Sequence, residues 1–349
     1  MSIKRFAGGV HGVWQRFPDP TGFDFALAGS TFRIRSEEAS LHRQLGEALK
    51  HRMVPHVAVP DLAIYTWHTH SSPLSQTPSD WRALERWMHG EPVHALFDDV
   101  STFIDPIGRN IAVLDFDKGQ AAVWFADPSP PIWTLAAPFL RLLDMWFTKR
   151  GKILCHGAAI AKHGCAALLI GPGGAGKSTL ALHAPDADFG YLGDDYVLVE
   201  PGAGSPIVYS VYALGKLLQV DADTHIPART AVAQFSDERS DKVLLRIDEA
   251  TICLSAPLVA VVEPFIGESD TPRLERISVG DALRKILPTS LRQLPGDEQK
   301  KLSLMARVIA VPCFRLHMTR DHARNLAVID RHLAAEAKRL GLVPCTMRT

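Results

Sequence analysis

A chain of 349 residues with 46% hydrophobic content is large enough for one big domain or two ordinary ones with a real core, which excludes a disordered or fibrous protein. Thirty-eight basic residues balance 38 acidic ones with no like-charge block, so neither nucleic acid nor a membrane surface is expected as the main partner. Five scattered cysteines without a Cys-x-x-Cys pair give neither a disulfide framework nor a zinc site and fit a reducing cytoplasm. The first residues lack an apolar leader core, and no stretch approaches the roughly eighteen apolar residues of a membrane span, so neither is expected.

In chain order, residues 25–34 read as strand, and Ser36-Glu37-Glu38 opens a helix that stacks Leu41, Leu45 and Leu49 on one face. Residues 61–69 read as strand, 71–79 as a surface loop and 81–89 as a second helix. A hairpin follows, 111–116 and 121–125 flanking Asp117-Lys118-Gly119-Gln120, before a stiff Pro-rich linker at 127–131. The linker marks the expected boundary between an N-terminal α+β module, 1–130, and a larger domain, 131–349. A helix over 134–149 carries Leu135, Phe139, Leu142, Leu143 and Trp146 at helical spacing. Beyond it the apolar periodicity shortens, predicting strands at 153–160, 165–170, 196–199, 207–211, 243–246 and 258–262. A helix from 279 running on toward 305 and another over 321–339 complete the chain. So many short strands with few crossover helices differ from a doubly wound nucleotide-binding domain.

Chemistry enters at Gly171-Pro172-Gly173-Gly174-Ala175-Gly176-Lys177-Ser178-Thr179, a complete G-x-x-x-x-G-K-[ST] phosphate loop between an apolar strand and a helix start. The glycines allow successive N–H groups to point at phosphate oxygens, Lys177 reaches the β- and γ-phosphates, and Ser178 offers its hydroxyl to Mg²⁺. Such a pattern arises by chance in roughly one chain of this length in a hundred, and the strand-before, helix-after context makes a mere Gly-rich turn the poorer reading.

Asp194 and Asp195 follow only seventeen residues after Lys177, in Gly193-Asp194-Asp195-Tyr196. Taken alone, paired acids before a strand are a solvated turn. After a phosphate loop they match phosphoryl transfer, which needs a carboxylate near Mg²⁺ and a base for the proton of the attacking hydroxyl. His156 lies mid-strand, where a lone histidine is ordinarily a core residue, but the neighbouring strand runs into the loop. Lys216, Lys242, Arg246 and Arg315 are candidate cations for the transferring group. Lys216 comes first because its neighbours Leu214, Leu217 and Leu218 place it on a partly buried strand. His68 and His70 share one strand face, yet two ligands without a third make no metal site, and Trp67, Trp81, Trp87, Trp124 and Trp133 read as core or interface aromatics.

The order His156-Gly157, then Gly171 to Ser178, then Gly193-Asp194-Asp195-Tyr196-Val197-Leu198 resembles the catalytic domain of the HPr serine kinase/phosphorylase superfamily, and most closely its shorter HPr-kinase-like members. Ala213 to Leu217, Pro257 to Ala260 and Val311 to Leu316 extend the resemblance over roughly residues 130–335. It implies an α/β (α+β) fold, a phosphoenolpyruvate carboxykinase-like nucleotide-binding domain of mixed short strands plus the smaller N-terminal module. It also implies ATP and Mg²⁺ as cofactors, with Gly171, Gly173, Gly174, Ala175, Gly176, Lys177, Ser178 and Thr179 holding the nucleotide. Ser178 and Asp195 would serve the metal, Asp194 would act as base, and His156 would support the site. The Glu-Ile-Arg-Gly signature of the bifunctional enzymes is missing between residues 199 and 233, which puts action on HPr and the reverse phosphorolysis in question.

The expected activity is thus transfer of the γ-phosphoryl group to a hydroxyl on a peptide, protein or small molecule selected by the N-terminal module. A nucleotide-gated regulatory protein without transfer, or a simple hydrolytic ATPase, is the alternative. The acceptor stays open, as does a homo-oligomeric state.

Overall fold

A computed structural model describes residues 22–68, 93–97, 100–105, 108–218, 230–236, 242–267, 270–294 and 296–342. The expected loop over 71–79, the helix over 81–89 and His70 lie outside them. The chain packs as two compact units, Met1–Trp146 with Gln293–Gly296, and Phe147–Arg292 with Asp297–Thr349. By packing, the division falls between Trp146 and Phe147, whereas the composition change placed it at 130–131.

The first unit is built on an eight-stranded mixed sheet in the order β3-β1-β2-β4-β8-β7-β6-β5. Strands β1 (Gly22–Leu27) and β2 (Ser30–Ser36) form a hairpin whose two-residue turn, Ala28 and Gly29, has φ of 48° and 80°, the left-handed turn that suits the strand twist. Helix α1 (Ala39–Glu47) buries Leu41 and Leu45 and carries the chain over to β4 (Leu62–His68), parallel to β2, after the short β3 (Met53–Val54). Strands β5 (Val93–Phe97), β6 (Val100–Asp105), β7 (Asn110–Asp115) and β8 (Gln120–Phe125) form an antiparallel meander, with β7 and β8 in the predicted hairpin. Trp67 and Trp124 face one another across β4 and β8 and are buried, as core aromatics should be. The helix expected over 134–149 is two helices, α2 (Ile132–Ala136) and α3 (Leu140–Lys149). Pro138 cannot donate to a continuing helix, and Phe139 takes φ of 59° at the break.

The second unit is a mixed α/β assembly organised by one long strand, β18 (Ser255–Ile266). Its start pairs antiparallel with β14 (Ile207–Tyr209), which continues through β13 (Tyr196–Glu200) to β9 (Ile153–His156). Its later part lies parallel between β11 (Cys165–Leu169) and β20 (Cys313–Met318). Strand β11 leads on to β10 (Ala158–Lys162) and β12 (Gly190–Gly193), while β20 takes β19 (Arg273–Arg276). A separate three-stranded sheet holds β15 (Leu214–Leu218), β17 (Lys242–Ile247) and β16 (Thr230–Ser236).

Alternate residues of the central strands feed two cores. Leu169 and Val262 join Leu180 and Leu182 of α4 (Lys177–His183), Leu245 of β17, and Leu326, Ile329 and Leu333 of α7 (His322–Leu340). Leu168 and Val261 join Ile286 of α5 (Val279–Arg292) and Met305 and Val308 of α6 (Glu298–Val308). A sheet covered on both faces needs strands apolar on both sides, and all five residues of β11 are buried. Asp321 caps α7, its Oδ1 accepting from the Arg324 N–H at 3.0 Å. The helix expected to run from 279 toward 305 is interrupted after Arg292, and Asp297 caps a fresh start at Glu298.

The strand expected over 153–160 is likewise two, β9 and β10, parted at Gly157. An added Cβ at Gly157 would lie 2.6 Å from the Leu169 carbonyl oxygen. Gly157→Ala is therefore expected to lower the thermal unfolding midpoint by several degrees, the consequence of roughly 1–3 kcal/mol of overpacking. The control Gly204→Ala adds a methyl group in open space and should leave the midpoint unchanged.

Candidate functional site

The segment between β11 and α4 turns tightly over the carboxyl ends of the parallel strands β11, β18 and β20. Gly174 and Gly176 have φ of 78° and 92°, closed to most side chains, and a Cβ at Gly176 would come within 2.6 Å of Met318 Cε. Lys177, nearly buried, folds back so that its Nζ donates to the carbonyls of Gly171 at 2.7 Å and Pro172 at 2.9 Å. Burial lowers its pKa, while Asp194 and Asp195 pull the other way.

Asp194 and Asp195 form the link between β12 and β13 instead of simply opening a strand. Strand β12 pairs with β10 and β13 with β9, so the acids lie where one hairpin partner gives way to the other, opposite the β9-to-β10 switch at Gly157. The Gly157 N–H donates to the Asp195 carbonyl at 2.9 Å, and Asp195 takes φ of 63°, a conformation Asp tolerates better than most residues. That one backbone contact fastens the acids beside His156 and, through the Gly157–Leu169 approach, beside the start of the phosphate loop. The structure thus gathers His156, Lys177, Ser178, Asp194 and Asp195.

The two carboxylates differ electrostatically. Asp194 is buried, its Oδ2 accepts from the Lys216 N–H at 3.3 Å, and its Oδ1 is buried without a partner among the described residues. Burial first, then the neighbouring Asp195 charge, raise its pKa to about 6 against the lowering effect of the nearby Ser178 hydroxyl. Asp195 is also driven upward by burial, but the Lys216 ammonium, ion-paired to its Oδ2, together with His156 and Lys242, holds it below the usual carboxylate value. His156 is desolvated and surrounded by Lys177, Lys216 and Lys242. Its pKa falls to about 4 despite Asp195, and it is neutral at physiological pH with Nδ1 unpartnered. Its ring centroid lies 5.3 Å from that of Tyr196.

Of the four candidate cations, Lys216 reaches the acids from β15, and Lys242 on β17 adds its charge to theirs. Arg246 is exposed on β17, and Arg315 is engaged elsewhere, its Nε bonding Glu263 Oε2 at 3.0 Å. Glu263 itself went unnoticed in the sequence. It is buried on β18, with Lys285 Nζ 2.9 Å from Oε1, and its Cγ would lie 3.9 Å from a Cβ at Gly171. The signal for it was an acid closing the apolar run Leu258 to Val262. His68, the describable half of the histidine pair, is ion-paired with Glu38.

Among the described residues no group of three or more His, Cys, Asp or Glu side chains is placed to hold a metal. The oxygens of Ser178 and the acid pair, with an unpaired buried Asp194 Oδ1, still fit Mg²⁺, which takes one or two protein oxygens and completes its shell with phosphate and water. No helix among the described residues is long and apolar enough to cross a membrane. The four described cysteines, Cys155, Cys165, Cys253 and Cys313, are free and buried.

No protein-family model matches the chain, and no curated protein matches it. Among solved structures it is similar to the HPr(Ser) kinase/phosphatase from Coxiella burnetii, at 12% identity over 54% of this chain and 91% of that chain, with a TM-score of 0.29. At that similarity the chemistry of the site rests on its own geometry.

The raised pKa of Asp194 has a stability signature. Below about pH 4 the carboxyl is protonated whether the chain is folded or unfolded, while above pH 6 the fold must carry a buried anion. Asp194→Asn should therefore raise the thermal midpoint by a few degrees at pH 8, with the gain shrinking as pH falls through 6 and vanishing near 4. Midpoints measured across that range check it.

Proposed function

We propose that this chain is an ATP- and Mg²⁺-dependent phosphotransferase that moves the γ-phosphoryl group to a hydroxyl, with the second unit carrying the HPr-kinase-like site. The observation that carries this reading is the unpartnered, high-pKa carboxylate of Asp194, fixed beside Ser178 and Lys177 at the mouth of a phosphate loop. A site that only bound nucleotide would gain nothing from the cost of burying a proton acceptor there.

In this reading the N–H groups of Gly173 to Thr179 hold the phosphates, and Lys177 exchanges its carbonyl contacts for β- and γ-phosphate oxygens. Ser178 and Asp195, the acid that stays ionised, would hold the metal, which when bound would supply positive charge to the phosphates. Asp194 Oδ1 accepts the proton of the acceptor hydroxyl as the new P–O bond forms and ADP leaves with the old one. A carboxylate with a pKa near 6 is ionised at neutral pH yet basic enough to share that proton. Neutral His156 orients the acceptor side, and Lys216 keeps Asp195 ionised and in place. The N-terminal module selects the acceptor, which is a peptide, protein or small molecule in the cytoplasm. Without the Glu-Ile-Arg-Gly signature, forward transfer is the activity assigned.

Lys177→Ala is expected to abolish ATP binding. Asp194→Asn should leave binding within about threefold of normal while transfer falls by roughly 10²–10⁴, the usual worth of a general base. Transfer by the unaltered protein should rise through about pH 6 as Asp194 ionises. Calorimetric titration with Mg²⁺-ATP reads binding by both variants, and incubation with γ-labelled ATP and cell extract across pH reads transfer. Normal transfer by Asp194→Asn would overturn the base assignment, and binding without labelled product or phosphate release would favour a nucleotide-gated regulator.

A further inference from the structure

The walls of a cavity of about 790 Å³ include Gly176 and Thr179, the residues flanking Lys177 and Ser178, together with Ile266, Met318, Arg320 and His322. None of His156, Asp194, Asp195 or Lys216 lines it. Lys177 turns away from it, its Nζ donating to the carbonyls of Gly171 at 2.7 Å and Pro172 at 2.9 Å, and Asp194 is held off it by the Lys216 N–H at 3.3 Å. The loop therefore has two sides, one carrying the transfer chemistry and one opening into a cavity.

We infer that the nucleoside of the bound nucleotide lies in this cavity, its base against Ile266 and Met318 with Arg320 at the rim; the inference rests on the nucleotide reading above. A triphosphate threaded through the loop has a direction. If its γ end meets Asp194, its α end leaves past Thr179 on the cavity side. The volume lies within the range that takes a small organic ligand. Ile266 is 66% exposed, an aliphatic side chain at the tip of β18 with a flat apolar surface to offer. Met318, buried against the loop at Gly176, adds a thioether, and a guanidinium such as that of Arg320 stacks on aromatic rings. Asp270, His322 and Arg324 also line the cavity, while Asp321 Oδ1 caps α7 and the Thr319 N–H donates to Asn325 Oδ1 at 2.9 Å. Stacking on the base is what Ile266, Met318 and Arg320 supply.

Calorimetric titration of the full chain with Mg²⁺-ATP and with Mg²⁺-tripolyphosphate, which has no nucleoside, tests this. The unaltered protein should bind ATP about tenfold tighter or more. Ile266→Asn, on an exposed side chain, should weaken ATP about fivefold and leave tripolyphosphate unchanged, while Ile266→Leu should keep both affinities. Equal affinity of the unaltered protein for the two ligands would overturn the inference and leave the phosphate loop standing. Equal weakening of both by Ile266→Asn, or of neither, would place the nucleoside elsewhere and overturn it too. Failure of the unaltered protein to bind either ligand would remove the nucleotide reading and this inference together.

Discussion

The contact from the Gly157 N–H to the Asp195 carbonyl is the constraint on which the site depends. At Gly157 the chain leaves the β9 side of the sheet for the β10 side, and it does so against the Leu169 carbonyl, at the last residue of the strand that feeds the phosphate loop. Only a residue without a side chain fits that approach. The paired chain makes its own switch from β12 to β13 at the acids, so two strand-to-strand transitions face each other, flanked by the β10–β12 and β9–β13 ladders and joined by the Gly157–Asp195 hydrogen bond. These contacts bring His156, the acids and residues 171–179 together.

Crowding those groups has an electrostatic consequence. Two buried carboxylates beside one another are not equally ionised, and the environment divides them: Lys216 holds Asp195 down, while Asp194 is left with burial and its neighbour's charge. Burial keeps His156 neutral, and the lysines that favour Asp195 add to that effect. Asymmetry of this kind is what acid–base chemistry near neutral pH requires. It is also destabilising, and two apolar cores on either side of the central sheet offset it.

The parts of this arrangement that were legible in the sequence are those fixed by local chemistry. The phosphate loop has a residue pattern dictated by φ angles and phosphate contacts, and α7 announces itself through Asp321 and its apolar stripe. Lys216 was legible because a lysine among leucines implied partial burial, and it has a partner that explains it. The strand switch was not legible. Ile153 to Ile160 is apolar but for His156 and Gly157, and periodicity cannot tell a long strand from two that part company at a glycine. Nor does sequence distance reveal that β15, from a different sheet, delivers its lysine to the acids. The break at Pro138 was the reverse case, a visible signal outweighed by a convincing helical stripe.

Glu263 shows why the site sits at the strand switch. In a parallel sheet the acid closing the apolar strand next to the phosphate-loop strand is the natural metal-directed group, and Glu263 closes such a run on β18, parallel to β11. Here Lys285 occupies one of its carboxylate oxygens and Arg315 the other, a buried carboxylate with both oxygens engaged. Charge-assisted bonds thus neutralise it and hold both oxygens in place. Asp194, by contrast, keeps one buried oxygen without a partner. The unsatisfied acceptor lies with the acids beside Gly157, while the carboxylate at the end of the parallel strand is engaged by Lys285 and Arg315.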